Sequence, residues 1–198
     1  MIIVITGGIA SGKSEVTKIL RKLGAPVVDA DEIVHKILEG GERIRKRLQR
    51  EFGPEIFQNG KINRALLGKI VFASKEKRLL LEKVIHPQVK RIISRKVKDL
   101  QKKGIPLVFL EVPLFFEINW PPFFSEIWVV YSSPDLQRSR LRNKGLSEDE
   151  IEKRISAQLP WEVKLKEATR IINNDGSLKE LEKKVQDLYD SLIERGLA

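Results

Sequence analysis

Ile2-Ile3-Val4-Ile5-Thr6-Gly7-Gly8-Ile9-Ala10-Ser11-Gly12-Lys13-Ser14 decides how the rest of this 198-residue chain is read. The apolar run from Ile2 to Ile5 shows no polar alternation, which predicts a strand buried on both faces. It leads straight into Gly7-x4-Gly12-Lys13-Ser14, the P-loop pattern. The spacing has a mechanical reason. Glycines at both ends let the backbone turn tightly enough for successive N–H groups to point inward around a phosphate, and the N-terminus of the next helix adds its partial positive charge. Lys13 then reaches the β and γ phosphates of a nucleoside triphosphate such as ATP, and Ser14 offers its hydroxyl to Mg²⁺. Val16, Ile19, Leu20 and Leu23 recur at helical spacing after the loop, and Gly24 with Pro26 stops that helix, so the order is strand, loop, helix. A dinucleotide fingerprint would need a third glycine where Ala10 or Ser11 stands, and Asp29 follows too short a helix to serve it.

With 41% hydrophobic residues, the chain suffices for one sizeable core carrying inserted segments rather than two independent domains. It has no cysteine, which excludes disulfides and thiolate metal sites. Met1 leads directly into the first strand without a basic leader or a long apolar run, so a soluble, cytoplasmic protein without a membrane partner is expected. The net charge of +10 permits acidic ligands, but 32% charged residues rich in Lys and Glu also describes a solvated surface of the kind found in heat-stable proteins.

Further along, Ala25 to Asp31 reads as a second strand ending in Asp29 and Asp31, followed by a helix with Ile33, Val34, Ile37 and Leu38 on its apolar side. Strand, helix, strand, helix favours a parallel sheet with right-handed crossovers, whose ligand sits beyond the carboxyl ends of the strands. Asp29 either caps the helix or faces that crevice, and Asp31 is the better functional candidate. From Gly40 to Lys103 the pattern is helical and basic without a further strand, and His86-Pro87 is expected to divide its last part into two helices. Such an insertion is too long for a simple crossover and reads as a lobe over the site, with Arg64 and His86 as candidate ligand contacts.

Pro106 to Val112 is the third core strand. Glu111 near its carboxyl end is suited to holding water on Mg²⁺, and Pro113-Leu114-Phe115-Phe116 reads as either a binding wall or ordinary core. Ile127 to Tyr131 is the fourth strand, and Ser133-Pro134 starts a helix carrying Arg138, Arg140 and Arg142. Ser147-x-x-Glu150 is a capping box for a helix with Ile151, Arg154, Ile155 and Gln158. Arginines on such a helical hairpin suit a mobile lid that supplies charge in the transition state. Arg170 to Asn174 is the last strand, and Ser177-x-x-Glu180 caps a helix whose stripe Leu178, Leu181, Val185, Leu188 and Leu192 is read as core.

Together these residues resemble the dephospho-CoA kinase family over essentially the whole chain. The resemblance is carried by Thr6 to Ser14, Asp29-Ala30-Asp31, Ile85-His86-Pro87, Val112-Pro113-Leu114-Phe115-Phe116-Glu117, Arg154-Ile155-x-x-Gln158 and Asn174-Asp175-Gly176. It implies an α/β P-loop fold of three layers. A parallel five-stranded sheet would carry helices on both faces, with a core of 1–39, 104–135 and 168–198, a helical lobe for the CoA portion at 40–103, and a lid at 136–167. It implies transfer of the γ-phosphoryl group of ATP, with Mg²⁺, to the ribose 3′-hydroxyl of dephospho-CoA.

By the same resemblance Asp31 is the catalytic base, acting with Lys13 and Arg140, and Gly7, Gly8, Ala10, Ser11, Gly12, Lys13, Ser14, Glu15, Arg154, Asn174 and Gly176 bind ATP. Asp29, Arg64, His86, Leu114 and Phe115 would receive the acceptor, and Ser14 with Glu111 would hold the metal. The family more often has Gly at Ala10 and Thr at Glu15; the first costs the loop a permissive residue, and the second puts a negative charge beside the triphosphate. Two other readings stay open: a P-loop kinase for another small hydroxylated metabolite such as a nucleoside, and a nucleic-acid-binding ATPase. Against the last, no row of basic residues is interleaved with aromatics, which gather instead between Phe115 and Trp128. The expected protein is a monomer or weak homo-oligomer that takes no nucleic acid.

Overall fold

The computed structural model describes residues 1–39, 41–117 and 124–196, the side chain of Phe72 excepted; part of the aromatic stretch between Phe115 and Trp128 lies outside them. In chain order it begins with β1 (Ile2–Gly7), α1 (Lys13–Lys22), β2 (Val27–Asp29), α2 (Ala30–Glu39) and α3 (Glu42–Phe52). A small hairpin, β3 (Phe57–Gln58) and β4 (Lys61–Ile62), precedes α4 (Arg64–Ala73) and α5 (Lys75–Lys102). Then follow β5 (Val108–Glu111), β6 (Glu126–Tyr131), α6 (Pro134–Arg142), α7 (Glu148–Ser156), α8 (Trp161–Lys166), β7 (Arg170–Asn173) and α9 (Leu178–Glu194).

The apolar run Ile2–Ile5 lies in the middle strand of a five-stranded parallel sheet of order β2-β5-β1-β6-β7, flanked by helices. Every residue of β1 is buried, as a run without alternation requires of a strand covered on both faces. Ile3 and Ile5 pack with Phe109 and Trp128 against Val16, Ile19 and Leu20 of α1 and Leu181, Val185 and Leu192 of α9. Each such side chain contributes about 1.5–3 kcal/mol by leaving water. Both expected capping boxes form, Ser147 with Glu150 and Ser177 with Glu180. Ser133 differs, because its hydroxyl caps nothing; the Asp175 carboxylate accepts its N–H at 2.7 Å instead.

The chain packs as two units, Met1–Asp29 with Asp99–Ala198, and Ala30–Lys98. The first holds the sheet. The second is largely helical, but two expectations for it are corrected. The strand-free reading missed β3 and β4, which are only two residues long and so show no period; the visible signal was Asn59-Gly60, both at positive φ (51° and 71°) in the turn between them. Nor does His86-Pro87 divide the helix, since α5 runs unbroken through Pro87. Pro87 and Lys83, whose carbonyl loses its helical partner, both lie on the exposed side, while Val84, Ile85, Val89 and Ile93 stay buried on either side of the proline. Among the described residues, no helix is long and apolar enough to cross a membrane.

Candidate active site

The loop between β1 and α1 stands at the carboxyl end of the sheet, where parallel α/β folds place their ligands. Glycine is required at its ends for room as well as for backbone freedom. A Cβ at Gly7 would run into the Val130 carbonyl of β6, and one at Gly12, where φ is 98°, into the side-chain amide of Asn174. Ala10 also takes a left-handed conformation (φ 55°), which disfavours a residue with a Cβ by about 1–2 kcal/mol. The N–H groups of Glu15 and Val16 close onto the Gly12 carbonyl at 3.0 and 3.2 Å. The N–H groups of Lys13 and Ser14 therefore stand at the open start of α1, the arrangement that attracts an anion.

Three consecutive loop carbonyls are each held by a distant side chain. Gln137 Nε2 donates to Ile9 O (2.9 Å), Arg140 Nη1 to Ala10 O (3.0 Å) and Asn174 Nδ2 to Ser11 O (2.8 Å). In a trans peptide the C=O and the following N–H point opposite ways, so holding these carbonyls also fixes the N–H groups of Ala10, Ser11 and Gly12, of which that of Ser11 donates to Gly8 O at 3.2 Å. The Ile9 N–H donates to Gln158 Oε1 at 2.9 Å. Lys13 Nζ bridges the loop mouth, donating to Gly8 O (2.7 Å) and Gly7 O (3.2 Å).

The arginines of α6 divide by face. Arg138 and Arg142, four residues apart, pair with Glu152 and Glu148 of α7. Arg140, on the other side, also donates Nη2 to Asn174 O at 2.9 Å, joining the loop to the end of β7. Arg154 of α7 is half-buried. Asn174 is buried, and Gly176 lies exposed in the turn before α9.

On the acidic side Glu111 is only 4% exposed; Thr17 Oγ1 donates to its Oε2 at 2.7 Å, and its Oε1 lies 3.5 Å from Ser14 Oγ. Strand register places Asp29 directly beside Glu111, and Arg21 lies 4.0 Å from the Asp29 carboxylate. Leu114 is 37% exposed, whereas Phe115 is buried in edge contacts with Phe116 and Phe124. Glu15 pairs with Lys18 at 2.7 Å, which offsets its charge beside the loop.

The other unit carries the remaining candidates. Asp31 is an exposed residue in the first turn of α2. Arg64, at the start of α4, lies 3.1 Å from Glu39. His86 is half-buried on α5, where burial, reinforced by the Lys90 charge, lowers its pKa from 6.5 and favours the neutral ring.

A cleft of about 560 Å³ opens beside the loop, lined among others by Gly12, Lys13, Arg140, Asn143, Asn174 and Leu178. Leu178, read in sequence as core, is 56% exposed and belongs to this cleft, while Leu181 one turn later is buried. Sequence reasoning also missed Thr17 and Gln137. Both carried a faint signal, Thr17 standing one helical turn after Ser14 and Gln137 one turn before Arg140.

Comparison with known proteins agrees with this geometry. The family model described as dephospho-CoA kinase matches residues 1–180. A dephospho-CoA kinase of Carboxydothermus hydrogenoformans is 44% identical over 180 residues, covering 90% of this chain and 87% of the relative. A crystal structure from Thermus thermophilus superposes with a TM-score of 0.81 at 37% identity, covering 97% of each chain. The dephospho-CoA kinase from Campylobacter jejuni does so with a TM-score of 0.66 at 30% identity, covering 96% of each. A clamped P-loop at the carboxyl end of a parallel sheet, with this likeness along nearly the whole chain, shows that the chain belongs to the dephospho-CoA kinase family.

Proposed function

We propose that this protein transfers the γ-phosphoryl group of ATP to the ribose 3′-hydroxyl of dephospho-CoA, giving coenzyme A and ADP, the last step of coenzyme A synthesis. The observation that carries the reading is the clamped loop, its carbonyls held by Gln137, Arg140 and Asn174 at the open start of α1, with the Lys13 ammonium across its mouth, a setting suited to an anion. The β and γ phosphates bind there, and adenine rests against Leu178 and the turn from Asn174 to Gly176, with Arg154 on the lid side.

Ser14 and Glu111 fit Mg²⁺, because the donor set is all oxygen and pairs one hydroxyl with one buried carboxylate. Among the described residues no group of three or more His, Cys, Asp or Glu could hold a metal ion. Bound at Ser14 and Glu111, Mg²⁺ would neutralise charge on the phosphates. Asp31 orients the ribose hydroxyl and takes its proton as the oxygen attacks the γ-phosphorus, while the bond to the bridging oxygen breaks and its electron pair leaves with ADP. Arg140 holds the loop carbonyls and adds charge near the transferring group.

Asp29, Arg64, His86, Leu114 and Phe115 receive the acceptor, the segment 40–103 serves as its lobe, and 136–167 closes as a lid. The protein works in the cytoplasm as a monomer or weak homo-oligomer and needs neither nucleic acid nor a membrane. The test is to mix it with ATP, Mg²⁺ and dephospho-CoA, and in parallel with a nucleoside. Release of ADP that requires dephospho-CoA, with an acceptor heavier by one phosphoryl group, is the expected result; equal release with either acceptor or with none would overturn it.

A further inference from the structure

Lys164 has no part in the phosphoryl-transfer scheme, yet only 2% of its side chain is exposed, on a short helix whose neighbouring Lys and Glu residues are at the surface. A buried ammonium is costly unless it is paired. Here it lies 3.0 Å from Glu117 Oε1, an oxygen that also accepts the Leu159 N–H at 3.1 Å. A second polar neighbour is Gln158 Oε1 at 3.4 Å, a contact at the outer edge of hydrogen bonding that acts chiefly as charge on dipole. That same oxygen accepts the N–H of Ile9 in the P-loop.

The chemistry of an amide makes this arrangement more than a salt bridge. Gln158 carries an acceptor and a donor that exchange places on a half-turn of its last bond. With the NH₂ turned toward Ile9, donor would meet donor at the loop, and the same NH₂ would stand against the Lys164 ammonium. The lysine therefore disfavours the wrong orientation. Because Gln137 holds the carbonyl of Ile9, both polar groups of this residue are then fixed by side-chain amides.

We infer that Lys164 is a positioning residue for phosphoryl transfer. It keeps the Gln158 oxygen on the Ile9 N–H and thereby couples the segment after α7 to the P-loop. Its effect on rate rests on the kinase reading above, whereas the orientation of the amide does not.

Removing Lys164 alone would strand the Glu117 carboxylate, so the pair is removed together in Glu117→Gln/Lys164→Met, where the new side chain at 117 can still accept from Leu159. The expected result is a loss of about tenfold in kcat, the scale of one hydrogen bond, with KM for dephospho-CoA unchanged and faster hydrogen exchange at the Ile9 amide. Adding Gln158→Glu, which presents an acceptor in either orientation, should restore both kcat and Ile9 protection. Unchanged Ile9 exchange in the double variant overturns the inference, as does a loss that Gln158→Glu fails to restore. Should the double variant not fold, Gln158→Leu, which leaves the ion pair in place, must expose the Ile9 amide; protection retained there overturns the inference equally. The exchange measurement needs no substrate, so it decides the matter even if dephospho-CoA is not phosphorylated.

Discussion

Asp31 and Arg140, both proposed to serve one reaction, sit in different surroundings. Asp31 is exposed at the start of α2, whereas Arg140 is bonded to two backbone carbonyls and holds the left-handed Ala10 in place. Asp31→Asn keeps the size but cannot take a proton, so kcat should fall by about 10² to 10⁴ while ATP affinity stays nearly unchanged. Steady-state kinetics checks this, and retention of more than about a tenth of wild-type kcat would make Asp29 the leading base. Arg140→Ala frees the Ala10 carbonyl and removes a charge, so kcat should fall more than KM for ATP rises. An unchanged kcat would reduce Arg140 to a surface clamp.

At the scale of elements, local rules and tertiary packing can be told apart. The two capping boxes follow from four-residue spacing alone, and they formed as read. In α5 the local rule against helix before proline lost to a buried stripe running past Pro87 on both sides. The same helix carries a pH response. Burial holds the folded-state pKa of His86 below 6.5, so as pH falls through 6.5 the unfolded chain takes up the proton first and stability is lost, until the folded-state value is passed. Glu82, one turn earlier, is raised by burial and works in the opposite sense, its folded form holding the proton above 4.5 and its contribution fading as pH rises. His86→Gln removes only the first response. Denaturant unfolding between about pH 7.5 and about pH 5.5 should show a smaller stability loss in the variant than in the wild type, and equal losses would show that His86 is not held neutral by burial.

For the whole molecule, exposed pairs such as Lys46–Glu42, Lys153–Asp149 and Lys183–Asp187 are each worth at most about 1 kcal/mol, and because each pair cancels, the net charge of +10 is carried by the Lys and Arg in excess of the acids. Ligand binding should act more strongly. ATP at about a hundredfold over its Kd should stabilise the protein by about 2.7 kcal/mol, seen as a rise in Tm, and Lys13→Ala should erase most of that rise together with transfer. A full rise in the variant would remove Lys13 from the phosphate site. The sequence by itself determined the strand-loop-helix at the start, the parallel sheet, the two capping boxes and the acid at the end of β5, because periodicity and short spacings are dictated by backbone geometry. Only the tertiary structure decided that Leu178 opens onto the cleft, that Asp29 stands beside Glu111, and which side chains hold the loop. Gln137, Arg140 and Asn174 reach the loop carbonyls from 128, 130 and 163 residues away. No local spacing encodes such a meeting; the strand order does, by setting β6 beside β1 and β7 beside β6, so that the segments after them close on the loop.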